Sequence, residues 1–346
     1  MLCLHGDAQE IKRRLCFLED GCALGRLLDI DVIAPDGRKL SRTEIGLSPR
    51  KCLLCENDAP VCARSRAHSA DELFARAGEI IDAHFEEAFI RRTAENAQRA
   101  LLCEVAVTPK PGLVDRHNSG AHDDMDVFTF IHSACTLCGY FEACTRIGLA
   151  HRGGDAQACF DALRVPGLLA EADMRRATAG VNTHKGAIFS LGIACASLGM
   201  SWGEPFSAEH ILLRCGEMTR LRMQDELENA RQGQARTFGE QVYQKKGVGG
   251  VRAEAAGGFA GVRETALPRL NAALDAGLSL NDAALCALTA LMARTEDTNA
   301  VRRGGEAGAK AMREKAQMLD SRMTAAIAAG KAQEVLDDFR HELTRW

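Results

Sequence analysis

A mainly α-helical fold is predicted, with an all-helical C-terminal domain and a small α+β N-terminal segment, from three observations. Aromatic residues make up only 5%, with two Trp and two Tyr, while Ala and Gly are abundant, a mix poor in strand formers. Apolar positions recur every three or four residues through long stretches of the chain. No alternation of strand and helix patterns, of the kind that builds a parallel sheet, is visible.

The elements follow in order. Leu27 to Ile33 is a short β-branched run that ends at Pro35-Asp36-Gly37, a turn signal, and reads as a strand. Six of the fourteen cysteines fall before residue 63, and this shift in composition marks a separate unit over residues 1–85. Residues 70–107 read as one or two long helices that Pro109 stops. The stretches 127–150, 183–199, 208–230, 263–276, 281–294 and 306–329 carry the same period between Gly-rich or Pro-bearing breaks. They place an all-α domain over residues 88–346.

Composition excludes several classes of function. The 346 residues are 46% hydrophobic and 26% charged, the balance of a globular protein. A net charge of −4 gives no global basic field for nucleic acid, so an anionic substrate needs a local positive site. The opening MLCLHGDAQEIKRR lacks the pattern of a signal peptide, and no apolar run reaches the length of a membrane span. Fourteen cysteines without an export signal predict reduced thiols in the cytoplasm.

Four polar islands interrupt the helical pattern. The first is Thr108-Pro109-Lys110-Pro111-Gly112-Leu113-Val114-Asp115, where two prolines hold Lys110 in a segment with little backbone freedom, suited to a phosphate. It continues through His122-Asp123-Asp124-Met125-Asp126, three carboxylates that repel unless a cation sits among them. The competing reading is a polar loop that caps the next helix. The second island, Gly180-Val181-Asn182-Thr183-His184-Lys185-Gly186, opens a helix that Thr183 would cap. Lys185 there opposes the helix dipole, a conflict that an anionic ligand would resolve. In the third, Gly249 to Gly258, glycines flank Arg252 and Glu254, and the arginine could grip phosphate while the carboxylate orients it. The fourth is Thr295-Glu296-Asp297-Thr298-Asn299 with Arg302 and Arg303 one turn on, an oxygen-rich set suited to Mg²⁺ beside cations for the phosphates it bridges.

Together, TPKPGLVD…GAHDDMD, GVNTHKGAIF, GVRAEAAGGF and TEDTNAVRRGG closely resemble the triphosphoribosyl-dephospho-CoA synthase family, in the expected order over about residues 90 to 330. The resemblance implies an all-helical fold, ATP and 3'-dephospho-CoA as substrates, and adenine as the leaving product. The ribose 2'-hydroxyl of dephospho-CoA would displace adenine from C1' of ATP, with the triphosphate kept. Oxocarbenium character at C1' then asks for carboxylates, a base for the hydroxyl proton and an acid for adenine. On that basis Lys110, Asp115, Asn182, Lys185, Arg252, Glu254, Asn299, Arg302 and Arg303 are expected to bind substrate and its phosphates. Asp124, Asp126, Glu296 and Asp297 are the expected Mg²⁺ ligands, with Asp124, Glu296 or Asp297 as base and His122 or His184 as acid.

The N-terminal segment has its own constellations. Asp29 and Asp31 stand at i and i+2, one face of a strand, and could hold a divalent metal; a solvent-facing acidic pair is the alternative. Cys52, Cys55, Cys62 and His68 follow a C-x2-C-x6-C-x5-H spacing that could supply four zinc ligands, although the last two gaps are not those of a standard finger. GRLLDIDVI…SRTEIGLSPRKCLLCENDAPVCARSRAHSADEL resembles the later half of the citrate lyase holo-acyl-carrier-protein synthase family. That resemblance implies transfer of phosphoribosyl-dephospho-CoA onto a serine of the lyase's acyl carrier subunit, so the two segments would catalyse consecutive steps. The competing functions are the equivalent synthase for malonate decarboxylase, a Mg²⁺-dependent ADP-ribosyl hydrolase, and a non-catalytic zinc module that docks on citrate lyase.

Overall fold

The computed structural model describes residues 3–205, 207–229, 250–295 and 298–346, with the backbone alone at 226–229 and 298–304. Among the described residues the chain is mainly helical and has no β-sheet; its β content is two isolated antiparallel bridges, Ile33 to Lys39 and Lys51 to Asp58. The chain divides into two compact units, Met1–Phe89 and Ile90–Trp346. No described helix is long and apolar enough to cross a membrane.

The first unit opens with the helix Ala8–Asp20, started by Asp7, whose carboxylate accepts from the N–H groups of Gln9 at 3.3 Å and Glu10 at 3.2 Å. The strand expected over 27–33 does not form. Leu24–Leu27 is a short 3-10 turn, and the extended backbone after it is claimed by side chains of the first helix. The buried Lys12 donates to the carbonyl of Ile30 at 2.8 Å, and the buried Glu19 accepts from the Ile30 N–H at 2.8 Å. With both backbone groups occupied, Ile30 cannot join a ladder, although its β-branched neighbours favour one. The short helix Ala59–Ser65 follows, then the helix Ala70–Ala106, whose residues from Ile90 onward belong to the second unit. The second of these is the long helix expected from its period.

The second unit packs helices around two apolar clusters. One joins Ala94, Leu101, Phe141, Met174, Ile193 and Met218; the other joins Val107, Leu285, Leu319, Met323, Leu336 and Phe339. In the first cluster, Cys138–Ala150 crosses Lys185–Met200 at glycines. A Cβ at Gly148 would lie 2.0 Å from the Ala196 carbonyl oxygen, and one at Gly199 would lie 2.3 Å from that of Thr145. Only glycine permits so close an approach.

Several boundaries differ from expectation. The stretch 127–150 divides into Val127–Thr136 and Cys138–Ala150 at the fully buried Leu137. The stretch 263–276 begins as a π-turn over Val262–Ala266 before the helix Leu267–Asp275. The last periodic stretch extends over Thr298–Ala328, interrupted at Gly305, whose φ is 67°. Gly250–Ala256, expected within a glycine loop, is a short helix. Arg164–Ala177 and Ala332–Thr344 are helices that the periodicity did not single out; the first carries Pro166 and Gly167 in its opening turn, which masks its pattern.

Candidate active site

The first island is a loop held from inside by Asp115, which is 1% exposed. One carboxylate oxygen accepts from the Thr108 hydroxyl at 2.7 Å and the Lys110 N–H at 3.0 Å; the other accepts from the N–H groups of His117 at 2.8 Å and Asn118 at 3.0 Å. Burial alone would raise its pKa, but the donors from Lys110, Thr108, His117 and Asn118 hold it below the ordinary carboxylate range. Asp115, expected at the substrate, is therefore the organiser of the loop, because both of its oxygens are taken by protein donors. Gly120, at φ 57°, lets the returning chain lie against Leu113; a Cβ there would meet the Leu113 carbonyl oxygen at 2.6 Å.

Lys110 is also turned inward. Its ammonium donates to the Glu104 carbonyl at 2.7 Å and pairs with the Glu104 carboxylate, so it caps the C-terminal turn of Ala70–Ala106, where a cation suits the helix dipole. The phosphate role expected for this lysine does not match its burial, at 5% exposure.

The loop is fixed from outside by residues far along the chain. Asn281 accepts from the Thr108 N–H at 3.0 Å and donates to the Thr108 carbonyl at 2.8 Å. Its neighbour Asp282, 1% exposed, receives Arg340 through two hydrogen bonds of 2.8 and 2.7 Å and the Ser279 hydroxyl at 2.5 Å. Burial again opposes the charged form, and Arg340 with Ser279 and Asn281 outweighs it, so Asp282 stays ionised below the usual range. Between the loop and this network lies a cavity of about 550 Å³, whose walls include Arg116, His117, Asn118, Asn281 and Arg340. Sequence reasoning missed Arg116 and His117, although they directly follow Asp115, and it missed Asn281 and Arg340, for which no local pattern exists.

The second island meets a different partner. The Thr183 hydroxyl, expected as a helix cap, donates to Ser133 at 2.8 Å, and Ser133 bonds the His184 Nδ1 at 2.6 Å. His184 occupies the N-cap position without a side-chain cap, and Asn182 before it accepts from the Lys185 N–H at 3.3 Å. This is a backbone role for Asn182, where substrate contact was expected. Lys185 itself pairs with Glu171 at 2.9 Å, which relieves its conflict with the helix dipole without a ligand. His184 is 4% exposed, its ring stands edge-on to Phe130 at 5.0 Å, and its Nε2 has no hydrogen-bond partner. Burial pushes its pKa down to about 4. Burial thus disfavours the protonated form that an acid for adenine would need.

The other expected residues are distributed. His122 faces Asp124 at 3.8 Å, while Asp126 caps Val127–Thr136 through a reciprocal pair of bonds with Thr129. Asp124 and Asp126 join no group of three metal-binding side chains among the described residues, so they do not by themselves form a Mg²⁺ site. Glu254 accepts from the Gly261 N–H at 3.0 Å and so fixes the turn after its helix; Arg252, on the same helix, is half-buried. Glu296 and Asp297, and the side chains of Asn299, Arg302 and Arg303, lie outside the described residues. In the first unit, Asp31 pairs with Lys39 at 2.7 Å and Asp29 faces Arg50 at 3.8 Å, so each carboxylate has its own cation and the pair does not converge on a metal.

Comparison with known proteins bears on both units. A family described as ATP:dephospho-CoA triphosphoribosyl transferase matches residues 90–345, and one described as apo-citrate lyase phosphoribosyl-dephospho-CoA transferase matches residues 1–84. A protein of Haemophilus influenzae named Protein CitXG is 36% identical over 320 residues, 90% of this chain and 68% of that protein. Its namesake in Leuconostoc mesenteroides is 37% identical over 314 residues, 87% of this chain and 66% of that protein. A Vibrio cholerae protein named probable 2-(5''-triphosphoribosyl)-3'-dephosphocoenzyme-A synthase is 42% identical over 225 residues, 64% of this chain and 72% of its own length. The chain thus spans about two thirds of the length of the CitXG relatives. No solved structure matches it.

Proposed function

The chain belongs to the ATP:dephospho-CoA triphosphoribosyl transferase family and is an enzyme of that type; on that premise we propose that its helical unit makes 2'-(5''-triphosphoribosyl)-3'-dephospho-CoA in the cavity beside Thr108. The observation that carries this reading is the cavity of about 550 Å³ walled by Arg116, His117 and Arg340 beside a loop that Asn281 holds at Thr108. Its size suits a nucleotide, and its cations supply the local positive field that the net charge of −4 does not.

In the reaction the C1'–N9 bond of the ATP ribose breaks, with its electrons going to adenine, and the 2'-hydroxyl of dephospho-CoA forms the new bond to C1' as its proton leaves. Arg116 holds a phosphate group as a planar fork, while Arg340, whose fork is taken by Asp282, adds its charge to the cavity wall. Holding the two substrates together converts an encounter into an oriented step. Of the two histidines considered, His122 is the one for proton transfer, because it faces Asp124 while His184 is held neutral in the core. Mg²⁺ would screen the triphosphate, with Glu296 and Asp297 as its expected ligands. The reading also includes action in the cytoplasm, with all fourteen cysteines free, and delivery of product toward a citrate lyase acyl carrier. The first unit would serve that delivery step.

Incubation of purified protein with ATP, Mg²⁺ and 3'-dephospho-CoA, followed by mass spectrometry, tests the proposal. Adenine and a triphosphoribosyl adduct of dephospho-CoA in equal amounts are expected. ATP left intact by folded protein, or free sugar phosphate without an adduct, would overturn it.

A further inference from the structure

The sequence spacing of Cys52, Cys55, Cys62 and His68 leaves open whether these residues meet. They do: one ligand atom from each lies within 4.8 Å of all the others, the one such grouping among the described residues. Cys55 Sγ stands 3.5 Å from Cys62 Sγ and 3.3 Å from His68 Nε2. Zinc bound at about 2.3 Å to sulfur and about 2.0 Å to nitrogen has tetrahedral edges of roughly 3.5–3.8 Å between ligand atoms. Contacts of 3.5 and 3.3 Å are within a few tenths of an ångström of that frame.

The backbone is shaped to present the four groups. Residues 50–59 form a tight hairpin, with Cys52 N–H donating to the Asn57 carbonyl at 2.8 Å and Ala59 N–H to that of Arg50 at 2.7 Å. At its tip the Leu54 N–H points to Cys52 Sγ at 3.5 Å, a donor aimed at the charge a metal-bound thiolate carries. The short helix Ala59–Ser65 then places the buried Cys62 under the tip, and Arg66, at φ 51°, turns the chain so that His68 reaches back. All four groups come from a single local segment.

We propose that Cys52, Cys55, Cys62 and His68 hold a structural Zn²⁺ ion that locks this hairpin against the Gly25–Asp31 segment. Four protein ligands fill the tetrahedron and leave no open position, so the ion holds structure and does no chemistry. The hairpin it fixes is bonded to the acidic segment from both sides: Arg26 donates to the Lys51 carbonyl at 2.8 Å, and Arg50 donates to the Arg26 carbonyl at 2.5 Å. The unit has reason to need such a staple. It has no sheet among its described residues, and its fully apolar core is little more than Val32, Leu40, Ile45 and Ile80. The proposal is independent of the synthase reading, since it rests on the first unit alone.

The test uses the full chain, purified with reductant and without chelator. Metal analysis is expected to find about one zinc per chain, retained in Cys3→Ser and lost in the Cys55→Ser/Cys62→Ser double variant. Because that variant could fail to fold, the wild-type chain is also stripped and refilled with Co²⁺. The expected result is the visible spectrum of tetrahedral cobalt with thiolate charge-transfer bands, and protection of Cys52, Cys55 and Cys62 from alkylation. Zinc kept by the double variant, or folded wild-type protein that takes up Co²⁺ without thiolate bands, would overturn the proposal. So would a disulfide between these cysteines in protein purified with reductant.

Discussion

The carboxamide of Asn281 grips the Thr108 peptide from both ends, accepting from its N–H at 3.0 Å and donating to its carbonyl at 2.8 Å, across 173 residues of sequence. Asn281→Ala is expected to lower kcat/KM for triphosphoribosyl transfer by tenfold or more, about 1.4 kcal/mol or above, while the helices stay folded. Steady-state kinetics beside a circular dichroism melt checks this; equal kcat/KM in the two chains would show that the clasp does not position the site.

Arg116 lines the same cavity beside His117 and Asn118. Arg116→Ala should raise the KM for a nucleotide substrate several-fold or more with little change in Tm, the signature of lost phosphate binding. Isothermal titration with ATP and with dephospho-CoA would show which substrate the cavity holds. No change for either would place the substrates elsewhere.

Asp282 lies at 1% exposure beneath Arg340, which is 41% exposed. Its pKa is lowered in the fold, so the stabilisation it gives is present above the unfolded carboxylate value near 4 and is lost as pH falls through the lowered one. Asp282→Ala leaves a half-exposed Arg340 that still faces Asp337 at 3.5 Å, and removes the acceptor of Ser279 and Asn281, so it should cost about 1–2 kcal/mol at neutral pH. Urea unfolding measured at neutral and acid pH tests both statements, and a variant as stable as the parent at pH 7 would contradict the first.

His184 titrates with the same sign for a different reason, because burial disfavours its charged form. Its folded pKa of about 4 lies below the unfolded value of 6.5, so between them the unfolded chain binds the extra proton. Stability is complete above pH 6.5 and declines toward pH 4, by about 3 kcal/mol from this residue. In His184→Gln that part of the pH dependence should vanish. Parallel stability-versus-pH curves for the two chains would refute the assignment.

The crossing of Cys138–Ala150 with Lys185–Met200 depends on the missing side chains of Gly148 and Gly199. Gly199→Ala sets a methyl 2.3 Å from the Thr145 carbonyl and must push the helices apart. A loss of about 2 kcal/mol or more is expected, read as a Tm several degrees lower. An unchanged Tm would mean that the crossing is looser than its geometry.

Much of this was legible in the chain before it folded. The period of 70–107 gave the helix Ala70–Ala106 almost to its ends, because Pro109 forbids continuation. The spacing of Cys52, Cys55, Cys62 and His68 singled out four groups that do lie together, within 4.8 Å, and the motif islands marked the family. Leu27 to Ile33 misled, since β-branched residues announce an extended backbone but not its partner, and here Lys12 and Glu19 take the place of a neighbouring strand. Lys110 and Asp115 misled in the same way: their charge was visible, and the direction in which it would point was not.

The sequence by itself determined the long periodic helices and the family to which the chain belongs, because periodicity, breakers and motif order are properties of neighbours along the chain. Only the tertiary structure decided which polar groups face a cavity and which face inward. Asn281, Arg340 and Ser133 reach their partners across 173, 58 and 51 residues. A buried charge or amide must find donors and acceptors wherever packing brings them, and no local pattern records where that will be.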